Sequence, residues 1–329
     1  MSDQARGPGK LERRIRAAER ELFAAAGVDF GESSIDLAQT GLRLRVLSHG
    51  SGPAVVLLHG VSESAAIWSS LVAQLEGFRL LAVDLPGHGL SDPARFQRGR
   101  VRQQARQLIE DIWDALGLDA VPVIGHSLGG MFALWQVAAG SERISEVIAV
   151  GEPAVALPGV RVRMPLSLLT VRGLSVAVLR SPSTHRVYRG LLAQGLGPAE
   201  VAAAPDALVE ALRLSARRPG NVSTVASVMH AIDRFRVARP ESVLTGAELA
   251  AITTPTLFIL GSDDPYLPVE RARASIGQIR GARLEEVPGG HAPWLVDPER
   301  VAALIATQAQ FAAGPAAAAA PPDRNRLAS

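Results

Sequence analysis

Val121-Pro-Val-Ile-Gly-His-Ser-Leu-Gly-Gly130 runs from an apolar segment, through Gly125-x-Ser127-x-Gly129, into a stretch with helical spacing. A serine flanked in this way can stand on a sharp turn between a strand and a helix, with its hydroxyl clear of the backbone. Gly125 and Gly129 are then steric requirements, because a side chain at either position would crowd the strand against the departing helix. The plainer alternative is a glycine-flanked turn without chemistry.

Working outward from this turn, apolar runs of strand length recur along the chain. Val121 to Ile124 is one. Before it come Leu42 to Leu47, which alternates, and Ala54 to Leu58 and Leu80 to Val83, which are continuous. After it come Val147 to Val150, Leu257 to Leu260 and Leu284 to Val287. Continuous runs suit strands buried on both faces, and helical stretches lie between them. The alternation predicts an α/β fold, with a mostly parallel sheet of the eight-stranded kind and helices on both faces. It breaks once, between Val150 and Thr256, where Pro158, Pro165, Pro182, Pro205 and Pro219 divide a long segment into short helical pieces. We read 153–245 as a helical cap inserted into a core made of 42–152 and 246–313; a run of ordinary surface helices is the alternative. Residues 1–41 read as an N-terminal helical extension, with Leu11, Ile15, Ala18, Leu22 and Phe23 on one face and Arg13, Arg14, Glu19 and Arg20 mostly elsewhere. Alanine, proline and then polar residues from 314 to 329 predict a disordered tail.

Composition narrows the function. Net charge is only +2 and aromatics are 4 % of the chain, so neither a basic groove nor a stacking platform for nucleic acid is expected. Cysteine is absent, which removes disulfides, thiolate metal sites and cysteine nucleophiles. The charged N-terminus lacks the apolar core of a secretory signal, and no apolar run is long enough to span a bilayer. A cytoplasmic protein that acts on a small molecule, without a membrane partner, is the simplest expectation.

A serine hydroxyl is a weak nucleophile near neutral pH and needs an adjacent base, for which imidazole is suited. Among the seven histidines, His291 stands apart. Val287-Pro-Gly-Gly-His-Ala-Pro-Trp294 follows the last strand and precedes a helix, which leaves the imidazole on a loop at the sheet edge. His59 ends a strand, His88 sits in a Gly-flanked loop, and His126 is directed away from Ser127's hydroxyl. His49, His185 and His230 read as solvated or packed. A carboxylate must hold the base in its tautomer; Asp264, with Pro265 and Pro268 shaping its loop, is preferred to Asp263, and Glu152 is a further alternative. The oxyanion formed by attack on a carbonyl needs preorganised N–H donors. Leu128, at the start of the helix, offers one, and the loop His59-Gly60-Val61 brings the Val61 amide as the other. Gly87-His-Gly89 lacks the third glycine of a dinucleotide fingerprint and reads as structural.

Over residues 42 to 313 the chain resembles the α/β-hydrolase superfamily. The resemblance rests on Leu57-Leu-His-Gly60, Asp84-Leu-Pro-Gly-His-Gly-Leu-Ser-Asp92, Gly125-His-Ser-Leu-Gly-Gly130, Gly261-Ser-Asp-Asp264 and Gly289-Gly-His-Ala-Pro-Trp294. It implies the chain order nucleophile, acid, base, met by Ser127, Asp264 and His291, and places the family's acid on Asp264. Family members with a dehalogenase or epoxide hydrolase activity use aspartate where Ser127 stands. The expected activity is hydrolysis of a carboxylic ester with no cofactor and no metal. Hydrolysis of a carbon–carbon bond in a ring-cleavage product, haloperoxidase-like chemistry and lactone hydrolysis are alternatives, and a small-molecule receptor is the reading from a different class.

Overall fold

The computed structural model describes residues 9–161, 171, 176, 183–235 and 237–308. The sheet has eight strands in the order β1-β2-β4-β3-β5-β6-β7-β8. They are β1 (Gly31–Asp36), β2 (Arg43–His49), β3 (Ala54–Leu58), β4 (Arg79–Val83), β5 (Val121–His126), β6 (Ile144–Val150), β7 (Thr256–Gly261) and β8 (Arg283–Val287). β2 runs antiparallel to β1 and β4, and the remaining neighbours are parallel.

The continuous apolar runs are buried on both faces, as expected. In β3, Val56 and Leu58 join the cluster that contains Ile109 and Ile112 of α3 (Val101–Leu116) and Met131 and Phe132 of α4 (Leu128–Ala138). Val55 and Leu57 join the opposite cluster with Trp68, Leu71 and Ile305, the last from α11 (Pro298–Ala306). Alternate residues of one strand thus serve two cores.

The N-terminal region departs from expectation. Its helix, α1 (Lys10–Ala25), does bury Ile15, Ala18, Leu22 and Phe23. Residues 1–41 are nevertheless not a purely helical extension, because they supply β1. That strand escapes a pattern search because Ile35 is its one buried residue. It is held as an edge strand by its ladder to β2.

Glu19 also lies on the buried face of α1, against expectation, because Arg45 of β2 meets it there. Both guanidinium NH groups donate to the Glu19 carboxylate at 2.7 Å, and Nε donates to Asp84 at 2.7 Å. Asp84 also accepts the amides of Ala65 and Leu90 at 2.7 and 2.8 Å. Burial pushes Asp84 up, but Arg45, His59 and these amides outweigh it and hold the carboxyl below its ordinary value. Gly89 is at φ +48°, and a Cβ there would come within 1.8 Å of the Asp84 carboxylate. The Gly87-His-Gly89 loop is therefore structural, wrapped around a buried carboxylate.

Between β6 and β7 the chain makes α5 (His185–Leu196), α6 (Pro198–Ala203), α7 (Asp206–Ser215) and α8 (Asn221–Ile232), then a hairpin of Asp233–Arg234 with Val237–Ala238. α7 packs on α1, with Arg14 and Glu210 3.1 Å apart. Much of 162–182, including Pro165 and Pro182, lies outside the described residues, as does the tail 314–329. Among the described residues no helix is long and apolar enough to cross a membrane.

Candidate active site

Ser127 sits between β5 and α4 with φ 48° and ψ −111°. This is a costly conformation for a residue with a side chain, about 1–3 kcal/mol, and persists only where the surroundings enforce it. The two glycines show how. A Cβ on Gly125 would lie 2.7 Å from Gly130 Cα, and one on Gly129 would lie 2.1 Å from the Leu58 carbonyl oxygen. Strand, turn and helix pack too closely to let the serine relax.

His291 arrives on the loop after β8. Its Nδ1 lies 2.7 Å from Asp264 Oδ2, with both side chains buried. That contact fixes the tautomer, because Nδ1 must donate and Nε2 is left without a proton. Asp264 also accepts the amides of Tyr266 and Glu152, at 3.0 and 3.1 Å. Burial pushes its carboxyl up, but His291 and these amides outweigh it and hold the group below the ordinary carboxylate value. Asp263 is exposed and bonds its neighbour Ser262. Glu152 is fully buried with neither carboxyl oxygen hydrogen-bonded. Burial, and then the nearby charge of Asp264, push it well above its ordinary value.

The helical insertion grips the His291 loop. The His291 amide donates to Leu196 O at 2.7 Å, and the Gly290 amide donates to Glu200 of α6. Glu200 had no signal in the sequence, since its partner lies 90 residues away.

The loop after β3 completes the site. His59 accepts the Leu85 amide at Nε2, 3.0 Å, and donates from Nδ1 to Gly60 O, 2.7 Å, so it ties the β3 and β4 loops together as a supporting residue. The Gly60 amide donates to Glu63 and the Ser62 amide to His88. His88 is held neutral by burial and by the neighbouring His59, its pKa lowered to about 3. Among the described residues no hydrogen bond reaches the amides of Val61 or Leu128. Gly60 is needed for a reason the sequence hid: a Cβ there would lie 2.8 Å from His126 Nδ1 and 3.0 Å from the Glu63 carboxylate. Glu63 itself, buried at the bottom of this loop, was missed. The only signal was an acid just before the apolar Ala65-Ala-Ile-Trp68. Ser62, Glu63, His88, Ser215 and Asn221 line a small crevice between this loop and the ends of α7 and α8.

A sheet of this order with a strained serine after β5 is the architecture of the α/β hydrolases. The family model described as alpha/beta hydrolase fold matches residues 53–298, and the chain belongs to that family. Its relatives include the pimeloyl-[acyl-carrier protein] methyl ester esterase of Nitrosospira multiformis, 30 % identical over 269 residues that make up 80 % of this chain and 96 % of that protein. A 2-hydroxy-6-oxononadienedioate/2-hydroxy-6-oxononatrienedioate hydrolase of Cupriavidus pinatubonensis is 28 % identical over 254 residues, 74 % of this chain and 82 % of that one. Carboxylesterase CesB of Bacillus subtilis superposes with a TM-score of 0.72 at 20 % identity, covering 90 % of this chain and 97 % of that one, which shows the shared fold.

Proposed function

We propose that this chain is a serine hydrolase that cleaves a carboxylic ester or related small acyl substrate, with Ser127 as nucleophile, His291 as base and Asp264 as the orienting acid. The reading is carried by the buried 2.7 Å contact of His291 with Asp264, on a loop whose imidazole packs 4.6 Å from the ring of His126, the residue before the strained Ser127. Ser127 Oγ adds to the carbonyl carbon while its proton passes to His291 Nε2. The oxygen that gains charge is held by the amides of Val61 and Leu128. The proton then goes to the leaving alcohol, and water repeats the sequence on the acyl-enzyme. None of these steps calls on a metal or cofactor, and 153–245 serves as the cap over a small-molecule site.

A fluorophosphonate probe should label the wild type and leave Ser127→Ala unlabelled; equal labelling of both would refute the nucleophile. His291→Ala should lose about 10³-fold or more in kcat on any ester the wild type turns over. The resemblance to the Cupriavidus hydrolase supports a second reading, cleavage of a carbon–carbon bond in a ring-cleavage product by the same residues. A panel of esters, lactones and dienones compared by kcat/KM separates the two.

A further inference from the structure

We infer that Glu63 and His126 form a buried hydrogen-bonded pair that positions the His291 loop and the Val61 loop against Ser127; the inference rests on the function proposed above. Three separate segments meet at this pair. Glu63 Oε2 accepts the Gly60 amide at 2.7 Å and lies 3.0 Å from His126 Nδ1. The other nitrogen, His126 Nε2, lies 3.1 Å from the backbone carbonyl of His291. His126 is itself the residue before Ser127, and its ring packs 4.6 Å from that of His291. One pair of side chains thus touches the oxyanion loop, the nucleophile turn and the base loop.

Both His126 nitrogens face acceptors, a Glu63 carboxylate oxygen and the His291 carbonyl oxygen. Burial pushes the Glu63 carboxyl up, but His126, His59 and the Gly60 amide outweigh it and hold the group below its ordinary value. The pair is nearly solvent-free, at 0 % and 3 % side-chain exposure. Trp294 packs edge-on against the His126 ring at 4.8 Å, with Trp68 stacked behind at 4.8 Å. Gly151 leaves it room, since a Cβ there would lie 3.0 Å from His126 Cδ2 and 2.2 Å from His291 O. Neither Glu63 nor His126 needs to touch substrate. Their effect would pass through the placement of the His291 imidazole and of the Val61 amide.

Removing the charge while keeping the shape tests this. Glu63→Gln can still accept the Gly60 amide, but it replaces the carboxylate that faces His126 Nδ1 with a neutral amide. We expect kcat on a p-nitrophenyl ester to fall on the order of 10²-fold, because misplacing reacting groups by about 1 Å has that effect. KM should stay within about threefold, since no binding contact is lost. Phosphonylation of Ser127 by the fluorophosphonate probe should slow in parallel. His126→Gln should show the same split, and the double variant should be no slower than the slower single one, because the two residues act as a unit. If Glu63→Gln does not fold, His126→Gln carries the same comparison. The inference is overturned if the variant is phosphonylated at the wild-type rate, if the loss falls on KM alone, or if the two losses multiply. Failure of the wild type to be labelled at all would instead sink the proposed function.

Discussion

Replacing Glu152 with glutamine removes a carboxyl that lies wholly inside the protein, with neither oxygen hydrogen-bonded. Its backbone amide, which donates to Asp264, is untouched by the change. Burial and the Asp264 charge raise the folded-state pKa well above the ordinary value, whereas in the unfolded chain the group titrates near ~4.3. Below the unfolded value both states hold the proton and its titration does not affect stability. Between the two values the unfolded chain releases a proton that the folded chain keeps, so stability falls as pH rises, by about 1.4 kcal/mol per unit. The loss continues until the folded carboxyl itself ionises. Glutamine does not titrate. The stability of Glu152→Gln minus that of the wild type should therefore be flat below about pH 4 and climb with that slope above it, until the folded carboxyl ionises. Urea unfolding followed by circular dichroism, at half-unit steps from pH 4 to 8, measures the difference if the two proteins share an m-value. Parallel stability curves across that range would refute the reasoning, because they would mean that Glu152 is ionised in the fold.

Glu19→Ala leaves Arg45 buried with half its partners; we expect a loss of about 3–5 kcal/mol and a Tm lower by roughly 4–8 °C. A shift under about 3 °C in a thermal scan would show that Asp84 alone satisfies the guanidinium. Gly129→Ala puts a Cβ 2.1 Å from the Leu58 carbonyl oxygen, a backbone clash that belongs with the largest single-residue losses, over about 4 kcal/mol. A variant that keeps the wild-type Tm and still reacts with the fluorophosphonate would contradict the tight packing of that turn.

Strands such as Ala54–Leu58 and Val121–His126 were legible because burial on both faces demands unbroken apolar runs. Gly31–Asp36 was not, since an edge strand with Ile35 as its one buried residue needs no pattern and is specified by its partner. The same division runs through the site. Ser127, Asp264 and His291 each announce themselves through local glycine and proline geometry. Glu63 and Glu19 do not, because their meaning lies in partners 63 and 26 residues away, and an acid in sequence looks solvated until its partner is found. Glu19 stands among charged neighbours on a helix, and nothing local separates it from Arg13, Arg14 and Arg20.

α1 holds the insertion by one flank and the sheet by the other, through Arg14 to Glu210 and through Glu19 to Arg45. This fastener lies outside 53–298, the stretch shared with the family. Two homologues identical throughout that stretch, but different at 10–25, would differ in how the insertion is tied to the sheet. That difference in anchoring would be written in a part of the chain that comparison of the shared stretch never reads.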